Sequence, residues 1–429
     1  MKSFCIIGCG ISGIISAKYC LEKNFDVKIL EKNSNAGGVW FSEAYPNIKL
    51  QTTKFSYAFS DFPHKENTNL YPTGLELSNY IDDYCKKHNI FKYCEFNSNV
   101  YKTRFENDKW IIYYKNDNIE KKITVDYLIV ASGIYGKKRN TIDCSNTNKI
   151  LEAKNICEKE VINKKIVIIG NGPSGCDMAE ICSKYNAQSI HLLYRSNRWI
   201  FQRYLWNKVS THNLLCRFNM LLASKIPKHA YLIFVIIFYF IIYLFSHKRF
   251  SLKVIPPYSV INRNNLVLNE TILDLIVNND INYEKTNNIN INQDTIRFNN
   301  KSIIYDKCIL CTGYNTDIQY LGLSTLPKLF NNIIYPEFKN CAFIGFAESF
   351  NWIQVSELQI NWYLEHLDKF PKKYMTQEIN NRVKEINKEY NYSDLAIDVY
   401  NYCDKLSKKN FDKNNFKYWF KTPKYNYWI

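Results

Sequence analysis

The sequence predicts an α/β protein with two Rossmann-like dinucleotide-binding domains, a β-meander and an apolar helical insertion. Three observations carry that expectation. The apolar run Phe4–Ile7 leads straight into Gly8-Cys9-Gly10-Ile11-Ser12-Gly13 and then into a periodic segment at residues 14–21, which reads as strand, glycine turn and helix. The same order recurs with Lys165–Ile169, Gly170-Asn171-Gly172-Pro173-Ser174-Gly175 and residues 176–184. Glycine is otherwise scarce, with 14 in 429 residues against a usual ~7 per cent. Ten of those glycines fall in the two turns, the Gly37-Gly38 pair, Gly133 and Gly313.

A chain of 429 residues with a hydrophobic content of 46% can bury two or three proper cores. Its formal net charge of +16 is spread through a chain rich in Lys, Asn, Ile and Tyr, and no nucleic-acid-reading module is visible, so nucleic acid is not an expected partner. Fourteen cysteines are scattered without a framework spacing. The first strand begins almost at Met1, which leaves no room for a signal peptide. Free thiols and a cytoplasmic setting are therefore expected, and no metal site is. Cys308 and Cys311, three apart on an expected strand, face opposite sides and read as core packing.

In the first turn, Gly8 permits the tight bend, Gly10 lets backbone approach a pyrophosphate, and Gly13 lets helix pack on strand, with Ile11 and Ser12 opening the helix whose N–H groups face the anion. The second strand, Asp26–Leu30, ends at Glu31, 18 residues beyond Gly13, with Lys32 next. A carboxylate there accepts hydrogen bonds from a ribose diol and repels a 2′-phosphate, so this site should hold the adenosine half of FAD or NAD.

Next come Gly37-Gly38-Val39-Trp40, Ile48-Lys49-Leu50-Gln51-Thr52-Thr53-Lys54 and Phe59-Ser60-Asp61-Phe62-Pro63. With these motifs the sequence resembles the flavin-containing monooxygenases, and among them the plant type with its "KLQ" and "FSDFP". Residues 75–88 have helical spacing at Leu75, Tyr80, Ile81 and Tyr84. Residues 100–105, 110–114 and 123–125 alternate as the strands of a meander beginning at Val100. Residues 126–133 read as a buried strand ending in the small turn Ala131-Ser132-Gly133. Residues 137–164 are polar and basic, a linker; the family's Phe-x-Gly-x-x-x-His-x-x-x-Tyr fingerprint, aligned on Asn146, Asn148, Glu152 and Ile156, is absent there.

In the second unit the strand at residues 189–194 ends in Arg195 and Ser196. A guanidinium at that position can pair with a 2′-phosphate, so the second site should prefer NADPH. Trp199 and Ile200 continue the resemblance. Residues 230–245, "AYLIFVIIFYFIIYLF", are flanked by Lys228, His229, His247, Lys248 and Arg249; the 16-residue run falls short of a span, which needs about 18–20 residues. A helix embedded at the cytosolic face of an intracellular membrane and a substrate-tunnel or core role both fit it. Residues 303–310 read as one strand, ending in Cys311-Thr312-Gly313-Tyr314, similar to the family's Ala-Thr-Gly-Tyr crossing between domains. A strand at 342–346 and a helix opening with Ser356-Glu357-Leu358-Gln359 follow, as in the family. Beyond Pro371 the chain reads as helical and basic, and the tail at 411–429, which interleaves lysines with aromatics, reads as packing over the domains or as a nucleic-acid or membrane-interface surface.

The expected domains are residues 1–160 with 301–370 for FAD, an inserted 161–300 for NADPH with the apolar insertion at about 205–250, and a helical, basic segment at 371–429. Two dinucleotide sites of opposite charge preference mean that NADPH can reduce FAD, and no cysteine pair suits a disulfide reductase. The resemblance implies that O2 then adds to give a C4a-hydroperoxyflavin, which transfers one oxygen atom to a nucleophilic nitrogen or sulfur of a small amine or sulfur compound. It places Gly38, Val39, Trp40, Leu50, Val100, Ala131, Ser132, Gly133, Thr312, Gly313 and Tyr314 around the cofactors. Gln51, where many members have an asparagine, is the candidate catalytic side chain; alternatively it hydrogen-bonds backbone beside the flavin. Baeyer–Villiger oxygenation of a ketone and a degenerate, membrane-associated nucleotide-binding protein are the other readings.

Overall fold

The structure, a computed structural model, describes residues 1–139, 142–144, 147–205, 208–214, 216–219, 233, 237, 266–367, 369–389, 397–407, 409, 414, 415, 419, 420, 422 and 424–429. The apolar run at 230–245 lies outside the described residues, apart from Ile233 and Ile237, and so does Asn146. Among the described residues no helix is long and apolar enough to cross a membrane.

In chain order the elements that build the fold are β1 (Ser3–Ile7), α1 (Ile11–Glu22), β2 (Asp26–Leu30), α2 (Gly74–Lys87), β3 (Cys94–Glu95), β4 (Ser98–Glu106), β5 (Lys109–Asn116), β6 (Ile119–Val125) and β7 (Tyr127–Val130). There follow β8 (Ile150–Leu151), β9 (Lys165–Ile169), α3 (Pro173–Lys184), β10 (Ser189–Tyr194), β11 (Trp199–Phe201), β12 (Leu266–Leu268) and β13 (Asn282–Lys285). The chain closes with β14 (Ile289–Ile291), β15 (Thr295–Phe298), β16 (Lys301–Ile304), β17 (Lys307–Leu310), β18 (Cys341–Phe343), α4 (Trp352–Glu365), α5 (Lys372–Glu389) and α6 (Val399–Leu406).

Two five-stranded parallel sheets repeat one plan. The first has the order β18-β7-β1-β2-β3 and the second β13-β10-β9-β17-β8. In each, the strand that enters the glycine turn lies at the centre, where both faces are covered; Phe4, Cys5 and Ile6 are as buried as Ile166, Val167 and Ile168. The antiparallel meander β4-β5-β6 stands beside the first sheet, as expected, and β14-β15-β16 forms a second antiparallel ribbon beside the other.

α2 begins at a capping box, with the Thr73 side chain accepting from Glu76 N and the Glu76 carboxylate accepting from Thr73 N. Its inner face is Leu77, Tyr80, Ile81 and Tyr84; Leu75, expected on that face, is exposed.

Four expectations are corrected. The single strand expected at 303–310 is two strands in different sheets, because Tyr305 turns into the core and Asp306 exchanges hydrogen bonds with Lys165, accepting from Lys165 N at 2.7 Å. β17 pairs with β9, so residues 301–310 belong with the second unit and the crossing back to the first comes at 311–315. The expected linker at 137–164 contributes β8, the edge of the second sheet. The C-terminal segment is not separate either: Val399, Tyr400, Cys403 and Trp428 are buried in the core of the first unit. All fourteen cysteines are free.

One buried carboxyl ties α4 to the "FSDFP" loop. Glu357 is fully buried, and its Oε1 accepts from Ser60 N at 3.1 Å and from Ser60 Oγ at 3.0 Å, while Oε2 has no partner among the described residues. Burial pushes this carboxyl up to about 8, against the opposing pull of the Ser60 donors and Lys18. The folded chain thus holds a proton that the unfolded chain releases at about 4.3. Its contribution to stability is full below that value and is lost as pH rises toward 8, at up to about 1.4 kcal/mol per pH unit. Glu357→Gln copies the protonated form and removes this dependence. Urea unfolding from pH 5 to 8 should show stability falling less steeply with pH in the variant than in the parent, and equal slopes would contradict the assignment.

Candidate active site between the two sheets

The first turn is built by contacts only glycine allows. Gly8 has φ +104°, its N–H donates to Leu30 O, and a Cβ on it would stand 2.7 Å from Ala131 O. A Cβ on Gly13 would stand 1.9 Å from Gly8 O, so α1 lies directly on β1. The second turn repeats this: Gly170 has φ +110°, its N–H donates to Leu193 O, and a Cβ on Gly175 would stand 1.8 Å from Gly170 O. The middle glycines differ. A Cβ on Gly10 would stand 3.6 Å from Gly38 Cα, an ordinary contact across open space, and one on Gly172 would meet nothing within 4 Å. Both are helix N-caps without a capping side chain. Their helices therefore leave amide donors facing a cradle that a side chain would fill, which is how a pyrophosphate is held.

Both turns open onto one cleft of about 3150 Å³ between the two units. Of the residues singled out in the sequence, Gly8, Gly10, Ile11, Ser12, Glu31, Lys32, Gly38, Val39, Trp40, Leu50, Gln51, Val100, Ala131, Ser132 and Gly133 line it from the first unit. Gly170, Gly172, Pro173, Ser174, Arg195, Ser196, Thr312, Gly313 and Tyr314 line it from the second unit and the crossing. Gly13 and Gly175 lie behind the turns, in keeping with their packing role.

The ladder places the discriminating side chains. Ile7 pairs with Leu30, so Glu31 emerges beside the first turn, where Oε2 accepts from Cys9 N at 2.6 Å and Oε1 from Asn33 N at 2.9 Å. Ile169 pairs with Leu193, so Tyr194 holds the register position that Glu31 holds in the first unit, and Arg195, one residue further on, lines the cleft from the second unit. Asn171 braces that end by donating to Ser196 O and to Tyr283 Oη. Ser132 Oγ lies 2.9 Å from Tyr320 Oη and Trp40 Nε1 donates to Tyr57 Oη at 2.9 Å, so the walls are held by partners distant in sequence. The two connections between units run side by side, with Lys137–Lys138 pairing antiparallel to Tyr314–Asn315 and Thr312 Oγ1 donating to Arg139 O.

Gln51 lines the cleft, but both ends of its carboxamide are engaged. Oε1 accepts from Leu268 N at 2.7 Å and Nε2 donates to Leu268 O at 3.2 Å, which ties the first unit to β12. This geometry matches its backbone-bonding alternative; chemistry at a substrate would require breaking the pair.

Sequence reasoning missed a set of buried polar residues at the same junction. Arg203, nearly fully buried, donates to Leu50 O at 3.2 Å and to Glu270 Oε2 at 2.6 Å, with its guanidinium over the Tyr71 ring. Asp177 accepts from Tyr45 Oη and from Asn269 Nδ2, each at 2.9 Å, and burial pushes its carboxyl up to about 6 while Arg203 opposes the shift. No spacing in the sequence marks these pairs, whose partners lie up to 153 residues apart.

Comparison with known proteins agrees with this arrangement. The profile of the family described as "Flavin-binding monooxygenase-like" matches residues 1–425. Flavin-containing monooxygenase 3 of Homo sapiens is 24% identical over 98% of this chain and 85% of its own. The structure of S-allyl-L-cysteine S-oxygenase from Allium sativum is similar with a TM-score of 0.65 and 16% identity, over 94% of this chain and 87% of its own. An OTEMO structure in complex with FAD and NADP has a TM-score of 0.66 and 15% identity, over 90% of this chain and 89% of its own. The chain therefore belongs to the flavin-binding monooxygenase family, and it is an oxidoreductase that uses FAD and NADPH.

Proposed function

We propose that the chain transfers one oxygen atom from O2 to a nucleophilic nitrogen or sulfur of a small molecule, with FAD held at the first glycine turn and NADPH at the second. The observation that carries this reading is one turn built twice on one cleft, with a carboxylate at the first strand end and a guanidinium at the second. The S-oxygenase named above from Allium sativum supports the sulfur arm of the reading.

Bound FAD would supply the acceptor for hydride and the means of activating O2. The chain's own contribution is binding and enclosure. The α1 amides and Gly10 would receive the FAD pyrophosphate, and Glu31 its ribose. The α3 amides and Gly172 would receive that of NADPH, and Arg195 its 2′-phosphate. Leu50, Val100 and Ala131 give the first site apolar walls that exclude water.

The direct test is purified protein loaded with FAD, supplied with NADPH under air and offered amines, thioethers and ketones. An N-oxide or sulfoxide carrying one oxygen from O2 is the expected product. Ester formation from ketones alone would move the reading to Baeyer–Villiger chemistry, and protein that takes up no FAD would overturn it.

The two positions of the second turn should separate binding from folding. Gly172→Ala has room for its methyl, so thermal stability and FAD content should stay at the parent's level while the Kd for NADPH rises. Gly175→Ala has none, and should lose about 1–3 kcal/mol of stability. Arg195→Ala removes a charge-assisted contact of about 1.5–3 kcal/mol, so the Kd for NADPH should rise about ten- to hundredfold while that for NADH stays constant; equal changes would refute the 2′-phosphate role.

We also propose that residues 230–245 attach the protein to a membrane surface, on the strength of their apolar, aromatic run between basic flanks. Deleting them should move the protein from the floating to the unbound fraction in vesicle flotation, and unchanged flotation would refute the attachment.

A further inference from the structure

Tyr45 belongs by sequence to the first unit, between the Gly37-Gly38 turn and Leu50, yet its ring is buried in the apolar core of the second unit with Ile168, Met178 and Ile272. Its hydroxyl donates to Asp177 Oδ2 at 2.9 Å, with the Ser174 hydroxyl beside it. Asp177 stands one turn along α3 from Pro173 and Ser174, so this bond reaches the very helix whose N-terminus faces the second nucleotide cradle. The other oxygen of Asp177 is held by its own unit. Asn269, fully buried, donates Nδ2 to Oδ1 at 2.9 Å, and its own Oδ1 accepts from Thr271 N and Ile272 N. From the first unit, the Tyr45 hydroxyl reaches α3 at both Ser174 and Asp177.

We propose that Tyr45 is a positioning residue for hydride delivery, its bond to Asp177 setting α3, and with it NADPH, at the reach of FAD. The inference rests on the cofactor placement proposed above. In the step concerned, two electrons and one proton leave NADPH together as hydride and pass to FAD, which yields NADP+ and FADH−. Such a transfer needs its reacting atoms about 3–3.5 Å apart, and a misplacement of about 1 Å can cost a hundredfold. Tyr45 acts through the helix on which the donor nucleotide rests. Apolar packing alone would let α3 slide against the 45–50 loop, whereas a hydrogen bond to a buried carboxyl whose other oxygen is held by Asn269 has a set direction and length.

The test compares the FAD-loaded parent with Tyr45→Phe, which keeps the ring, and with Asp177→Asn. Stopped-flow reduction by saturating NADPH without oxygen should slow about tenfold in Tyr45→Phe. The Kd for NADPH, the thermal midpoint and the reoxidation by O2 of dithionite-reduced enzyme should stay at parent levels. Hydrogen exchange on nucleotide-free protein should be several-fold faster at residues 45–51 in the variant, and the double variant should reduce no more slowly than the slower single one. Reduction at the parent rate, unchanged exchange at 45–51, or an equal loss in reoxidation would overturn the inference. If Asp177→Asn does not fold, Tyr45→Phe decides alone. A parent that binds FAD but is not reduced by NADPH would overturn the cofactor placement and this inference together; a reducible parent matched by its variant overturns this inference only.

Discussion

The close approach of helix to strand at the two glycine turns is the constraint from which the rest of the site follows. A methyl group at Gly13 or Gly175 would lie within 2 Å of the carbonyl oxygen that opens its turn, at 1.9 and 1.8 Å. Because the helix rests on the end of the central strand, its free amides point to one place above the sheet. The neighbouring strand is held to the central one by the ladder, Ile7 to Leu30 and Ile169 to Leu193. Glu31 follows Leu30 directly and Arg195 follows Leu193 by two residues, and both line the cleft. One backbone geometry built twice thus carries a carboxylate near its first copy and a guanidinium near its second.

The junction between the units has a different character. Arg203, Gln51 and the Tyr45–Asp177 pair cross it with buried, directional bonds, and Arg203 carries a charge into a nearly closed environment where Glu270 and Leu50 O receive it. Burying those groups is costly unless each is paired, so the junction favours one arrangement of the units over neighbouring ones. The covalent crossings add to this, since the outgoing and returning chains pair at Lys137–Lys138 and Tyr314–Asn315. Such a junction holds the two glycine turns at a set separation across the cleft.

Local physics wrote much of this into the chain. Glycine placement at 8, 10 and 13 and at 170, 172 and 175, the apolar runs entering both turns, the alternation of the meander, and the charges of Glu31 and Arg195 all act within about twenty residues of each other, where spacing alone states which groups meet. What the sequence did not declare depends on which distant segments touch. The split of residues 301–310 between two sheets turns on Tyr305 entering the core and Asp306 bonding to Lys165, and the edge strand β8 is recruited from a polar stretch with no strand pattern. The carboxamide of Gln51 suits chemistry or backbone bonding by its type alone, and its engagement at both ends by Leu268, 217 residues away, is set by the tertiary structure. Tyr45 and Asp177 carry no motif at all. Hydrogen bonds between segments this far apart are set by the packing of two complete units, so the ligand-binding turns were determined by the sequence and their mutual placement by the tertiary structure alone.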